Sequence, residues 1–219
     1  MSQNVQKNRL LLCDFDGTIT VKDVTNLIID HYTGTWWRDQ VLPRFWRNEI
    51  DHLQVMVESY APLKIPEPEL IEYSLKVTRI RPGFQELFDF CQQEGSDLVV
   101  VSGGMDFYIK PFMLEGMPYY SYTGELGDNG WLVRRPAFPP VADGQDFKVR
   151  VMEELCRQKN YSEVVFCGDG RNDFPLAQKA DKVFAVEGSR LSILCDEGGV
   201  ACTPFNDFYQ VIQLLKGAE

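Results

Sequence analysis

Three short apolar runs, each running straight into small or acidic residues, limit what this chain can fold into more than any other feature. Arg9-Leu10-Leu11-Leu12-Cys13 stops at Asp14, Asp97-Leu98-Val99-Val100-Val101 stops at Ser102, and Glu163-Val164-Val165-Phe166-Cys167 stops at Gly168-Asp169. None of them alternates, so each predicts a strand covered on both faces, the condition of a parallel sheet between helices. Residues 182–186 and 199–203 form weaker runs of the same kind. Helical patterns fall between and after them, over residues 82–94, 105–114, 146–159, 174–180 and 205–215. Strands alternating with helices predict an α/β chain with a doubly wound, Rossmann-like parallel sheet. Such a sheet binds ligands at the carboxyl ends of its strands.

Two stretches interrupt the alternation. Residues 21–81 read as helices only, broken at Gly34, Pro43, Pro62, Pro66 and Pro68, and they concentrate aromatics at Tyr32, Trp36, Trp37, Phe45, Trp46 and Tyr60. They predict a small helical cap over the carboxyl edge of the sheet, leaving residues 1–20 and 82–219 as the α/β core. The tryptophans either pack the cap's own interior or line an apolar pocket beneath it. Residues 119–138 carry a Gly127-Asp128-Asn129-Gly130 turn between β-like flanks, a hairpin signal. A chain of 219 residues suits one domain with such an insert.

The composition removes several classes of function. With 44% hydrophobic and 25% charged residues, the chain is neither disordered nor a coiled coil. A formal charge of −10 lacks the basic footprint of a nucleic-acid binder. It leaves anionic substrates open, because a bound metal ion reverses the local sign. No run approaches the ~18 apolar residues of a membrane helix, and the polar residues 1–9 do not read as a signal peptide, so a cytoplasmic protein without a membrane partner is expected. The six cysteines form no Cys-x-x-Cys pair, which argues for reduced thiols and against zinc.

The chemistry concentrates where the runs end. Asp14-Phe15-Asp16-Gly17-Thr18-Ile19-Thr20 puts two carboxylates two residues apart, just past a buried strand. Holding them there calls for a counter-ion, and oxygen ligands select a hard divalent cation such as Mg²⁺. Asp14 can then act as a nucleophile toward phosphorus, Asp16 as general acid and base, and Gly17 lets the backbone bend. By itself the motif reads first as a surface turn rich in Asp and Gly, a reading that must also explain the other strand ends. Ser102-Gly103-Gly104, opening a helix, would offer an anion site of amides and a hydroxyl. Asp169 would meet Asp14 at the sheet edge and complete a metal site, with Asp173 supporting it. Lys148, at the start of a helix, would neutralise the nucleophile and the phosphoryl oxygens; Lys110 is its competitor.

In this order, Asp-x-Asp-Gly-Thr, Ser-Gly-Gly, Lys and Gly-Asp-x-x-x-Asp resemble the haloacid dehalogenase superfamily in its phosphatase branch. The resemblance implies Asp14 as phosphoaspartyl nucleophile, Asp16 as general acid and base, and Ser102, Gly103, Gly104 and Lys148 as phosphoryl ligands. It implies Mg²⁺ held by Asp14, the main-chain carbonyl of Asp16, and Asp169, with Asp173 and Asn172 in support. The insert is similar to the small cap of phosphoserine-phosphatase-like members. Asp23 stands where that group carries an acidic residue near the substrate amine, with Arg38, Arg44 and Arg47 as candidates for its cap arginine. Val100-Val101-Ser102-Gly103-Gly104-Met105-Asp106-Phe107-Tyr108 and Phe147-Lys148 followed by Val151-Met152-Glu153-Glu154-Leu155 resemble the family of 2-hydroxy-3-keto-5-methylthiopentenyl-1-phosphate phosphatases of methionine salvage.

The implied function is a Mg²⁺-dependent phosphomonoester hydrolase, monomeric or homodimeric, acting on a small phosphorylated metabolite. The salvage intermediate is the first substrate, with phosphoserine or another small ester as alternatives. A dehalogenase has little use for Asp16. A phosphomutase would keep the same residues. A non-catalytic phosphate-binding module would have lost at least one of these charges.

Overall fold

The computed structural model describes residues 8–142 and 144–217. The expectations for residues 1–7 and for the outermost ends of the α/β core therefore lie outside the described residues. In chain order, β1 (Arg9–Cys13) leads to five helices, α1 (Val24–Thr33), α2 (Trp36–Gln40), α3 (Leu42–Trp46), α4 (His52–Tyr60) and α5 (Glu67–Val77). Then come α6 (Phe84–Gln93), β2 (Asp97–Met105), α7 (Asp106–Ile109), the hairpin β3 (Tyr119–Gly127) and β4 (Gly130–Arg134), and α8 (Phe147–Gln158). The chain closes with β5 (Glu163–Gly168), α9 (Phe174–Ala177), β6 (Lys182–Val186), α10 (Arg190–Gly198), β7 (Cys202–Phe205) and α11 (Phe208–Lys216).

The strands form one sheet in the order β4-β3-β2-β1-β5-β6-β7. All neighbours are parallel except β3 and β4. β1 holds the centre because nothing in Leu10 to Cys13 tolerates water; all four residues are fully buried. From β1 the chain winds outward through β2 on one side and later through β5 on the other. Asp14 therefore sits at the point where the winding direction reverses, the crevice in which open α/β sheets take ligands. Residues 21–81 leave from this edge and return to it. The neck is closed by Val21 N–H on Arg79 O (2.9 Å), Arg81 N–H on Ile19 O (2.7 Å) and a Thr20–Ile80 bridge. Five helices start on a side chain that accepts from the N–H three residues on: Asp23, Asp51, Asp146, Ser189 and Asp207.

Several boundaries differ from the sequence expectation. Ser102-Gly103-Gly104 does not open a helix. β2 runs through these residues to Met105, with an irregularity between Val101 and Met105, and the helix starts at Asp106. That helix ends at Ile109 because Pro111 stands in the next turn, which is a tighter one over Lys110–Phe112. The last strand lies at Cys202–Phe205, not at 199–203, because Gly199, with φ of 67°, caps α10. α10 itself was not expected. The final helix begins only at Phe208, after the Asp207 cap. Pro43 and Pro68 do not break helices; they occupy the first turns of α3 and α5, where a missing N–H costs nothing.

Candidate active site

The ends of β1, β2 and β5, the loop after β5 and the buried start of α8 converge on one cavity, and residues 21–81 supply its opposite wall. Asp14, Asp16, Asp23, Ser102, Gly103, Gly104, Asp169 and Asn172 all line it. Asp14, Asp169 and Asp173 each bring a carboxylate oxygen within 4.8 Å of the others. The Lys148 ammonium, 2% exposed, donates to Asp14 Oδ1 (2.6 Å) and Asp173 Oδ1 (2.5 Å). Burial works against its charge, but the two carboxylates outweigh that and hold its pKa above the usual lysine range. Lys110, by contrast, is exposed.

The neighbouring contacts divide the carboxylates into two kinds. Asp173 is saturated: Oδ2 accepts from Asp169 N–H (2.9 Å) and Gly170 N–H (2.7 Å), while Oδ1 takes Lys148. Asp169 spends Oδ1 on the Thr18 hydroxyl (2.8 Å). Burial and then the charge of Asp173 push its pKa up to about 8. Burial, followed by Asp173, also drives Asp14 well above the carboxylate range. Three clustered acids facing one ammonium leave a negative excess. An all-oxygen donor set with such an excess fits a hard divalent cation.

Asp16 is fixed on both oxygens. Oδ1 accepts from Val24 N–H (2.9 Å) and Oδ2 from the Tyr108 hydroxyl (2.5 Å). Thr25 Oγ1 lies 2.8 Å from that hydroxyl. Because the phenol's one proton points to Asp16, Thr25 is the donor in this second contact. Burial raises the Asp16 pKa strongly. The turn carrying Asp16 needs glycine at 17 for two reasons: φ is 77°, and a β-carbon there would collide with the Asp169 carboxylate. Arg81 clamps the same turn through Nε on Thr18 O (2.7 Å) and Nη2 on Gly17 O (2.8 Å). At the end of β2, Ser102 Oγ accepts from Gly104 N–H (2.9 Å). That amide is therefore engaged internally, and the serine proton is left to donate.

Asp23 caps α1 through Asn26 N–H (2.8 Å), and burial pushes its pKa up to about 6. The three candidate arginines do not reach the cavity: Arg38 pairs with Asp30 (2.6 Å), Arg44 with Glu58 (2.6 Å) and Arg47 with Glu49 (2.5 Å). Trp37 and Trp46 both line the cavity, but Trp37 is buried whereas Trp46 is 56% exposed. Sequence reasoning missed Tyr108, Thr18, Arg81 and His52. Their links to the site span 92, 151 and 63 residues for the first three, and no local spacing signals such contacts.

A family model of haloacid dehalogenase-like hydrolases matches residues 11–178. The 2-hydroxy-3-keto-5-methylthiopentenyl-1-phosphate phosphatase of Geobacillus kaustophilus (strain HTA426) is 31% identical over 97% of this chain and 98% of its own length. The protein of that name from Geobacillus thermodenitrificans (strain NG80-2) is 29% identical over 98% of this chain and 99% of its own. Among solved structures, a substrate-bound phosphoserine phosphatase complex superposes with a TM-score of 0.76 at 18% identity, covering 95% of this chain and 98% of that one. A phospho-aspartyl intermediate analogue of phosphoserine phosphatase gives 0.75 at 19% identity, covering 95% and 99%.

Proposed function

Because the chain belongs to the haloacid dehalogenase-like hydrolase family and is a phosphatase, we propose that it hydrolyses a small phosphomonoester through an aspartyl phosphate on Asp14. The observation that carries this reading is the Asp14–Lys148–Asp173 bridge beside Asp169, with Asp16 in the same cavity. Asp14 attacks phosphorus, an acyl phosphate forms and the ester P–O bond breaks. Asp16, whose pKa burial raises and which Tyr108 and Val24 orient, gives its proton to the leaving oxygen. As a carboxylate it then takes a proton from water, which attacks the same phosphorus, and the bond to Asp14 breaks. Lys148 balances charge on Asp14, and the Ser102 hydroxyl donates to a phosphoryl oxygen. Magnesium, held by Asp14, the Asp16 carbonyl and Asp169, would add neutralising charge at the phosphoryl oxygens. Asp173 and Asn172 support the cluster, and residues 21–81 act as a cap domain that excludes water.

The substrate we favour is 2-hydroxy-3-keto-5-methylthiopentenyl-1-phosphate. Support comes from the cap-side wall of the cavity, where Trp37, Leu42, Phe45, Trp46, Val55 and Met56 suit a methylthio chain. No lysine or arginine of 21–81 lines that wall; the cavity's cations are Arg171, which lies over the Phe45 ring, and Arg190, both from the core. Asp23 keeps phosphoserine as the second reading, since it would meet the substrate ammonium. A cytoplasmic location agrees with six free cysteines and with no described helix being long and apolar enough to cross a membrane. Asp14→Asn should lower turnover of p-nitrophenyl phosphate by at least ~10⁴-fold while the fold is retained. EDTA should stop phosphate release and Mg²⁺ restore it. Undiminished activity in the Asn variant would remove the mechanism.

A further inference from the structure

Helix α4 crosses the cavity with one face. His52, Val55, Met56 and Ser59, spaced as a single helical stripe, all line it. The stripe is apolar in the middle and polar at both ends. Ser59 is 1% exposed, and its hydroxyl has no hydrogen-bond partner in the protein, a costly arrangement unless a ligand supplies one. At the other end, the His52 imidazole lies against the phosphate-side strand end. A β-carbon on Gly103 would stand 2.6 Å from its Nδ1, so Gly103 is the residue that makes room for the ring. Phe45 and Tyr122, each with a centroid 5.9 Å away, hold the ring in place. Burial and the charge of Lys148 push the imidazole down to about 4, so at neutral pH it carries one donor and one acceptor and no charge.

The phosphoryl group is already served from the sheet side by Asp14, Ser102 and Lys148. His52 reaches in from the opposite wall, at the end of the apolar stripe beside Gly103, between the phosphoryl-binding groups and the side chains of Val55 and Met56. We propose that His52 is a specificity-determining residue that hydrogen-bonds an oxygen on the carbon next to the ester carbon, with the rest of the α4 stripe following the chain of the leaving group. This rests on the phosphatase reading above and narrows it.

The test compares dihydroxyacetone phosphate, which has such an oxygen, with propyl phosphate, which lacks it. In His52→Phe, the ratio of kcat/KM for the two should fall about 10-fold, the worth of one hydrogen bond, with propyl phosphate changed less than about 2-fold and the melting temperature preserved. His52→Asn, which keeps a donor and an acceptor, should recover part of the ratio. Calorimetric binding of the same two probes to Asp14→Asn, with and without His52→Phe, should show the same selective loss. Because binding needs no turnover, it reads His52 even if the Asp14 mechanism is wrong. An unchanged ratio overturns the proposal, and so does an equal loss for both probes, which would assign His52 to the phosphoryl group.

Discussion

The two walls of the cavity solve opposite problems. On the sheet side, acids are packed together out of water and held by a buried lysine, backbone amides and the Thr18 hydroxyl. On the helical side, the charged residues face outward in pairs such as Arg38–Asp30 and Arg47–Glu49, and the inward face is mostly aromatic and aliphatic. Concentrated buried charge costs folding energy and gives electrostatic preorganisation. An apolar wall costs little and gives shape. The contrast assigns chemistry to one side and choice of leaving group to the other, and each assignment can be broken separately.

The largest effect should come from Lys148→Met. The methionine fills the space but leaves Asp14 and Asp173 facing each other without a cation. A loss of about 3–5 kcal/mol in stability is expected, together with a fall of about 10²–10³ in kcat. Denaturant unfolding and phosphate-release kinetics measure the two. A variant that is stable and active would show that the sheet side does not depend on this bridge.

The sheet side was also the more legible half of the sequence. Asp14, Ser102 and Asp169 stand at the ends of apolar runs, so the strand pattern brings them to one edge, and Asp16 and Asp173 follow within a few residues. Lys148 was readable only as the second residue of a capped helix. Its burial follows from where α8 packs, which no local pattern encodes. The extent of β2 was misjudged because Gly103 and Gly104 look like a turn, yet the strand continues through them and pairs Met105 with Tyr122. On the helical side, the breaks are imprecise because proline reads the same within a first turn as past a last one, and the break at residues 47–51 holds neither glycine nor proline. The roles of Trp37 and Trp46 were not separable either. Nine residues apart in a run of short helices, they differ only in how α2 and α3 pack, which leaves one buried and the other largely open.

That difference sharpens the comparison. Trp37, 2% exposed with its indole N–H on Asp30 Oδ1 (2.9 Å), lines the cavity and is also packed into the cap's interior. Trp37→Ala should cost about 3–5 kcal/mol. Trp46→Ala should barely move the melting temperature. It should lower kcat/KM for hexyl phosphate relative to ethyl phosphate by about 3- to 10-fold, as expected for removing apolar surface at ~25 cal/mol per Å². If the ratio holds steady while stability drops, Trp46 belongs to the cap's packing and the helical wall does not select by apolar contact there.

The smallest effect tests the one acid on the helical wall that faces the cavity. Burial raises the Asp23 pKa to about 6 in the folded chain, against an ordinary unfolded value near 4. A raised folded pKa means that the folded state binds the proton more tightly. The stabilisation is therefore complete below about pH 4 and is lost as pH rises through about 6. Asp23→Asn retains an N-cap of equal quality for α1 and removes the titration. The melting temperature of the unaltered protein should thus decline relative to the variant between about pH 4 and 7, by about 2–4 °C, the equivalent of ~1 kcal/mol in a chain this size once partial exposure is allowed for. Parallel melting curves for the two proteins would mean that Asp23 ionises as freely as a surface carboxylate. The helical wall would then keep its negative charge below pH 6 as well as above it, and a substrate ammonium would be held there with no loss of affinity between about pH 7 and 5.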